Sequence, residues 1–414
     1  MLSRRFFLRN SALAIFGVGS APGWLSRAVY ARDAPVARKK IFITIFQRGA
    51  VDGLNMVIPH GDPAYYAARP SIAIPRPGAS EGAALDLDGY FGLHPSLGAL
   101  KPLWDKKQLA IVEACGSPDP TRSHFDAQDY MESGTPGLKA TPDGWLNRAL
   151  PSEISPSPVR AVSVTPDLPR CLRGSRPALT IENLTAFKMA DTRIASVFET
   201  MYRTTADPVL NSTGRETFDA VRMVQAIQRQ PYAPVNGAQY PNGRLGQSLK
   251  QIACLIKANV GLEVAFADVG GWDTHVNEAG EQAHLGHLAN LLGNFGDSLA
   301  AFSQDMGDRM EDIMIVTMSE FGRTVRENGD RGTDHGHANV MFVLGGAVKG
   351  GRVLGRWPGL ASEQLYQGRE LAVTTDFRDV LSTLIIRQMQ NHDLAAIFPG
   401  YRPVSVSGLL PPLD

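Results

Sequence analysis

The chain has 414 residues, its 41 Lys and Arg are balanced by 41 Asp and Glu, and 43% of its positions are apolar. That balance, with no run of Lys and Arg, excludes an electrostatic nucleic-acid binder, and the length suits one large domain or a domain with an insertion. Cys115, Cys171 and Cys254 are odd in number, scattered and without CxxC spacing, which excludes a disulfide framework.

The N-terminus, MLSRRFFLRNSALAIFGVGS, sets Arg4 and Arg5 before a short apolar run at residues 12–18. A bilayer span needs ~20 apolar residues. The order basic, apolar, small instead predicts a cleavable twin-arginine signal over residues 1–31, cut after Ala31. The expected partner during export is the twin-arginine translocase, and the expected location is periplasmic or secreted. The leader carries four arginines and no acid, so its removal leaves a net charge of about −4. No second long apolar segment follows, so no membrane span is expected after cleavage.

KKIFITIF (39–46) is a continuous apolar and β-branched run, as in a strand buried on both faces of a parallel sheet. It empties into a glycine-punctuated turn containing Asp52 and Asn55. Residues 60–92, rich in Pro and Gly, predict an irregular excursion, and a helical stretch then leads to a second buried strand, LAIVEACG (109–116). In SPDPTRSHFDAQDYMESG, Thr121 or Ser123 can cap a helix running to Ser133. From about 150 to 240 the Pro-rich character predicts an insertion or cap, with a strand-like VRAVSV, a helical stretch at 191–230 and a linker, QPYAPVNGAQYPNG. Regular order resumes with a helix from 244, the strand GLEVAFADV (261–269), the turn GGWDTHVNEAG and a long helix over about 281–306. The strand DIMIVTMSEFG (312–322), the stretch GTDHGHANVMFVLGG and a terminal turn and helix complete the pattern. Strands alternating with helices argue for a three-layer α/β fold with a mostly parallel sheet, whose ligands collect at the strand ends.

The chemistry-bearing residues sit at those ends. They are Asp52; Thr121, Arg122, Ser123 and His124; Asp273 and His275; Glu320; and Asp334, His335 and His337. Carboxylates and imidazoles converging from several turns suit one or two divalent ions, with zinc, manganese and magnesium all compatible. Metals at strand ends commonly act on phosphate or sulfate esters. Such an enzyme needs a nucleophile at a helix N-terminus, a place Ser123 fills, with Thr121 as the alternative and Arg122 beside it to hold an anionic oxygen. A plain N-cap explains Ser123 equally well. No GxSxG elbow is present, against an α/β-hydrolase triad.

The segments FQRGAVDGLN, TRSHFDAQDYMESG, GGWDTH, MSEFGRT, GTDHGHAN and TTDFRDVL occur in this order across almost the whole mature chain. Together with the twin-arginine signal they resemble an uncharacterised exported bacterial family, domain of unknown function 1501. That family resembles, more distantly, the alkaline phosphatase and sulfatase superfamily. The resemblance implies an alkaline-phosphatase-like domain over 32–414, with Asp52, Asp273, His275 and His335 or His337 as metal ligands and Ser123 or Thr121 as nucleophile. Where the phosphatases carry an Asp-His pair, this chain has Ser319 and Glu320, so Asp334 or the second histidine would supply the missing ligand. The implied activity is a metal-dependent hydrolase acting on an anionic phosphate or sulfate ester. The alternative is a non-enzymatic exported binding or surface-assembly protein that keeps the fold.

Overall fold

The computed structural model describes residues 39–151, 157–184, 199–202, 204–205, 208–228 and 231–412. The signal expected over 1–31 lies outside the described residues, as do 152–156 and 185–198 of the middle stretch.

The long apolar runs become the central strands. In β1 (Ile41–Gln47), Ile41, Ile43 and Ile45 enter one core cluster, while Phe42 and Phe46 enter another. That is the two-residue period of a strand covered on both faces. The excursion after it folds into a small ribbon of β2 (Val57–Ile58), β3 (Leu85–Asp86) and β4 (Gly92–Leu93). The main sheet continues with β5 (Leu109–Gly116), β6 (Ala161–Val164), β7 (Leu179–Thr180), β8 (Val264–Val269) and β9 (Ile313–Met318). It is completed by β10 (Asn339–Gly345), β11 (Arg352–Leu354) and β12 (Thr375–Asp376).

Among the described residues these nine strands form one sheet, ordered β11-β5-β10-β9-β1-β8-β6-β7 with β12 beside β5. β10 is antiparallel to β5 and β9, and the other pairings are parallel. The fold is therefore α/β with a large, mostly parallel mixed sheet. β6 and β7 arise within the stretch expected to be an insertion or cap, yet they extend the sheet beyond β8.

The longer helices are α1 (His124–Ser133), α2 (Pro208–Gln228), α3 (Arg244–Lys257), α4 (His287–Met306) and α5 (Phe377–Met389). One face of the sheet is covered by α3 and α4 through Leu249, Ile252, Leu292, Phe295 and Leu299. The opposite face is covered by α5 through Val380, Leu381, Leu384 and Ile385, with Trp145 and Phe398. Helix α4 starts at His287 rather than near 281. Gly286 has φ +109, outside helical space, and the Gly280 amide bonds the Leu285 carbonyl, so the chain turns back before the helix begins. His284 and His287 therefore do not share a helix face.

The segment read as a linker is pinned to α4. Asp305, buried near its end, accepts hydrogen bonds from the Tyr232 and Tyr240 hydroxyls, the Val235 amide and the Lys257 ammonium.

Strand direction places the chemistry. The carboxyl ends of β1, β5, β8 and β9 share one edge of the sheet. Because β10 runs the other way, the turn preceding it, residues 332–338, arrives at that same edge.

Candidate metal centre

Three imidazoles and a carboxylate meet at this edge. His124 is the first residue of α1, Asp273 and His275 lie in the turn after β8, and His335 lies in the turn before β10. His335 Nε2 stands 3.0 Å from both His124 Nε2 and His275 Nε2. Asp273 Oδ1 is 3.0 Å from His275 Nε2 and 3.3 Å from His335 Nε2, and its Oδ2 is 3.4 Å from His124 Nε2. Donor atoms sharing one small cation, each ~2.0–2.2 Å from it, stand ~3 Å apart; His124, Asp273 and His335 offer donors all within 4.8 Å of one another, and His275 flanks this trio through its contacts with His335 and Asp273.

The far nitrogens settle which way each ring is protonated. His124 Nδ1 lies 2.7 Å from Glu320 Oε1, His275 Nδ1 lies 3.2 Å from Asp334 Oδ1, and His335 Nδ1 lies 2.9 Å from the Arg122 carbonyl oxygen. All three partners accept, so each Nδ1 carries the proton and donates it. Each Nε2 is then left with a lone pair aimed at the others and at Asp273. Acceptors brought this close repel one another, a repulsion that a cation placed among them would relieve. Metal-bound histidines are oriented by this same use of their second nitrogen.

The electrostatics act in opposite directions on two of the rings. Burial raises Asp273, but the Arg323 guanidinium, 2.7 Å away, outweighs it and brings the carboxyl down to about 2. The Glu320 hydrogen bond raises His124, against the opposing effect of burial. Burial, and then the neighbouring His124, lowers His335. The cluster is open on one side, with the Asp273 side chain 47% and the His275 side chain 39% exposed.

Two glycines let the turns come this close. Gly49 has φ +115, and a Cβ there would sit 2.8 Å from the Asp273 amide nitrogen. A Cβ on Gly332 would sit 2.2 Å from the His275 carbonyl oxygen. Any side chain would force these turns apart.

The other expected site residues have different neighbours. Glu320 is buried, and its Oε1 accepts from His124 Nδ1, Gln128 Nε2 and the Gly49 amide, so it holds His124 in place from behind. Asp334 does the same for His275. Asp52 is fully buried and gripped by both terminal nitrogens of Arg69, away from the four convergent donors. His337 stacks on Tyr366 with ring centroids 4.4 Å apart, and burial, then the Arg122 charge, pushes it down to about 4. Ser123 caps α1, its Oγ accepting from the Asp126 amide at 3.4 Å, and Thr121 Oγ1 accepts from the Ser123 amide at 3.2 Å. The Arg122 guanidinium turns away to Glu370 and Gln367.

His124 was passed over as a ligand, and Arg323 was not anticipated. Arg323 is buried and donates to the carbonyls of Gly49, Ala50, Trp272 and Thr333 as well as to Asp273. The available signal for His124 was its place at the head of a helix that follows a buried strand. The next face of α1 turns Phe125, Asp129 and Glu132 toward a separate cleft of about 490 Å³. Of the four arginines there, Arg48, Arg170 and Arg244 are already paired with Glu132, Asp268 and Asp129, and Arg173 donates to the Leu168 carbonyl.

A family model described as a protein of unknown function (DUF1501) matches residues 39–397. The chain belongs to the DUF1501 family. Every residue of the four-donor cluster falls inside the matched region, as do Glu320, Arg323 and Asp334. A search of curated proteins gave no match.

Proposed function

We propose that this DUF1501 protein is an exported, metal-dependent hydrolase of phosphate or sulfate esters, with one divalent cation held by His124, Asp273 and His335 and with His275 at its edge. The carrying observation is the grouping of His124, His335 and Asp273 donor atoms within 4.8 Å of one another, with His275 alongside and each imidazole held by an acceptor on its other nitrogen. Imidazole-rich donors of this kind suit zinc better than manganese or magnesium, which prefer oxygen. When bound, the cation supplies Lewis acidity toward an ester oxygen and toward a nucleophile. The open side formed by Asp273 and His275 leaves room for a substrate.

The hydrolase reading draws on α1. Its first residue is a member of the donor set, so its amide-bearing N-terminus lies beside the cluster and favours an anionic group there. Ser123 stands at that N-terminus as the candidate nucleophile, with Thr121 next to it. The parallel sheet, with its ligand turns on one edge, is compatible with the alkaline-phosphatase-like architecture that the resemblance implies. Export by the twin-arginine route would carry the protein folded, with its cation already in place.

The test is elemental analysis of protein recovered from its native export route, followed by assays on panels of phosphate and sulfate esters. One equivalent of a transition metal, with turnover abolished by Asp273→Ala, is expected. Ser123→Ala should retain the metal and lose turnover, whereas a mere cap would cost about 1 kcal/mol of stability and leave turnover intact. Wild-type protein without stoichiometric metal would sink the proposal.

A further inference from the structure

We infer that Glu278 is a positioning residue for the metal centre, clamping the Asp273–His275 turn to the Asp334–His335 turn from beneath. The inference rests on the metal reading above. Glu278 touches none of the four convergent side chains and acts through two threonines. Its Oε2 accepts from Thr274 Oγ1 at 3.0 Å and from Thr333 Oγ1 at 2.8 Å. Thr274 lies between Asp273 and His275, and Thr333 directly precedes Asp334 and His335, so one buried oxygen joins both ligand turns.

The backbone around it shows that the two turns are one unit. The Thr333 amide donates to the Thr274 carbonyl at 3.1 Å, and the Asn277 and Glu278 amides donate to Asp330 and Arg331 at 2.9 Å. The Glu278 carbonyl in turn accepts from the Leu288 amide in the first turn of α4, anchoring the unit to the helical layer.

A fully buried carboxyl is a costly group to keep unless its environment is arranged for it. Here the arrangement is specific. Glu278 Oε1 finds no donor, and the neighbouring group is the Asp52 carboxylate held by Arg69. Burial, and then the Asp52 charge, pushes Glu278 well above the ordinary carboxyl range, which favours its protonated form beside Asp52. Asp52, expected from sequence to bind metal, stands behind the clamp, held by Arg69.

The test measures cobalt(II) and zinc binding to metal-stripped full-length protein, with the visible spectrum of the cobalt form reporting ligand geometry. Glu278→Ala should weaken affinity by about 10- to 100-fold and alter the cobalt spectrum. Glu278→Gln, which keeps an acceptor for the threonines and a donor for Asp52, should restore affinity to within about 3-fold and recover the spectrum. Should Glu278→Ala not fold, Thr333→Val removes one arm of the clamp at constant shape and should weaken binding about 10-fold. Wild-type affinity and spectrum in Glu278→Ala or in Thr333→Val would overturn the inference even if thermal stability fell. So would a Glu278→Gln variant as defective as Glu278→Ala. Wild-type protein that takes up neither metal would overturn the metal reading and the clamp together, which sets that failure apart from the others.

Discussion

Two polar clusters in this protein look alike in composition and differ in their bookkeeping of donors. At Asp305, one buried carboxylate meets two hydroxyls, an amide and an ammonium, so every group around it supplies what the carboxylate needs. At the sheet edge, three Nε2 atoms and Asp273 face one another, and the Arg323 guanidinium is the described donor that reaches them, through Asp273 alone. The first cluster is complete as it stands and fastens a loop. The second has a surplus of acceptors that a bound cation would balance, and that surplus separates a candidate ligand-binding place from a structural knot.

The comparison breaks most visibly by exchange. Asp305→Ala strands the Lys257 ammonium in a half-buried setting and should cost about 3 kcal/mol in chemical denaturation, with metal content unchanged. Asp273→Ala should reduce metal affinity by at least ~100-fold and cost the metal-free protein less stability than Asp305→Ala, because the buried Arg323 keeps its four carbonyl acceptors. Equal loss of stability in both variants would erase the distinction drawn here.

A smaller effect is expected one layer out. Glu320→Gln and Asp334→Asn keep the shape but weaken the acceptors that hold His124 and His275, and each should weaken metal binding about 10-fold by isothermal titration. In Asp305→Asn the same measurement should show no change.

Acid–base behaviour supplies a third discriminator. Glu278 is raised well above 4.5 by burial and by Asp52, so the folded chain keeps a proton that the unfolded chain gives up. Folding then takes up that proton, and this contribution is complete below pH ~4.5 and is lost as pH rises, at up to ~1.4 kcal/mol per pH unit. Glu278→Gln removes the linkage. The stability of the metal-free variant should therefore gain steadily on wild type from about pH 5 to pH 8 in urea titrations, and parallel curves would show Glu278 to be ionised. Smallest of all, His337→Phe preserves the stack on Tyr366 and should change metal affinity by less than about 2-fold, because that ring lies outside the donor set.

Much of this was legible in the order of residues. The buried runs became β1, β5 and β10 with shifts of a residue or two at most, and Ser123 caps α1 where expected. The five turns were rightly placed on one edge, although the 332–338 turn gets there only because β10 is antiparallel, a direction that local pattern does not encode. Asp52 looked like a ligand because its partner, Arg69, comes from the irregular excursion, where no periodicity points back to it. His335 and His337 were indistinguishable by type, yet the chain bends at His337, so that His335 meets the donor cluster and His337 stacks on Tyr366 instead of sharing the one face that a regular strand would give them. Arg323 was invisible because its role depends on carbonyls from three separate turns.

The donor set is also spread far along the chain. His124 and His335 are separated by 211 positions and meet only after β5, β8, β9 and β10 have all found their places in the sheet. A nascent chain halted before residue 335 would own His124, Asp273 and His275 but lack the ring that joins them. Cation uptake would then report that the sheet has assembled as far as β10, a checkpoint built from topology alone.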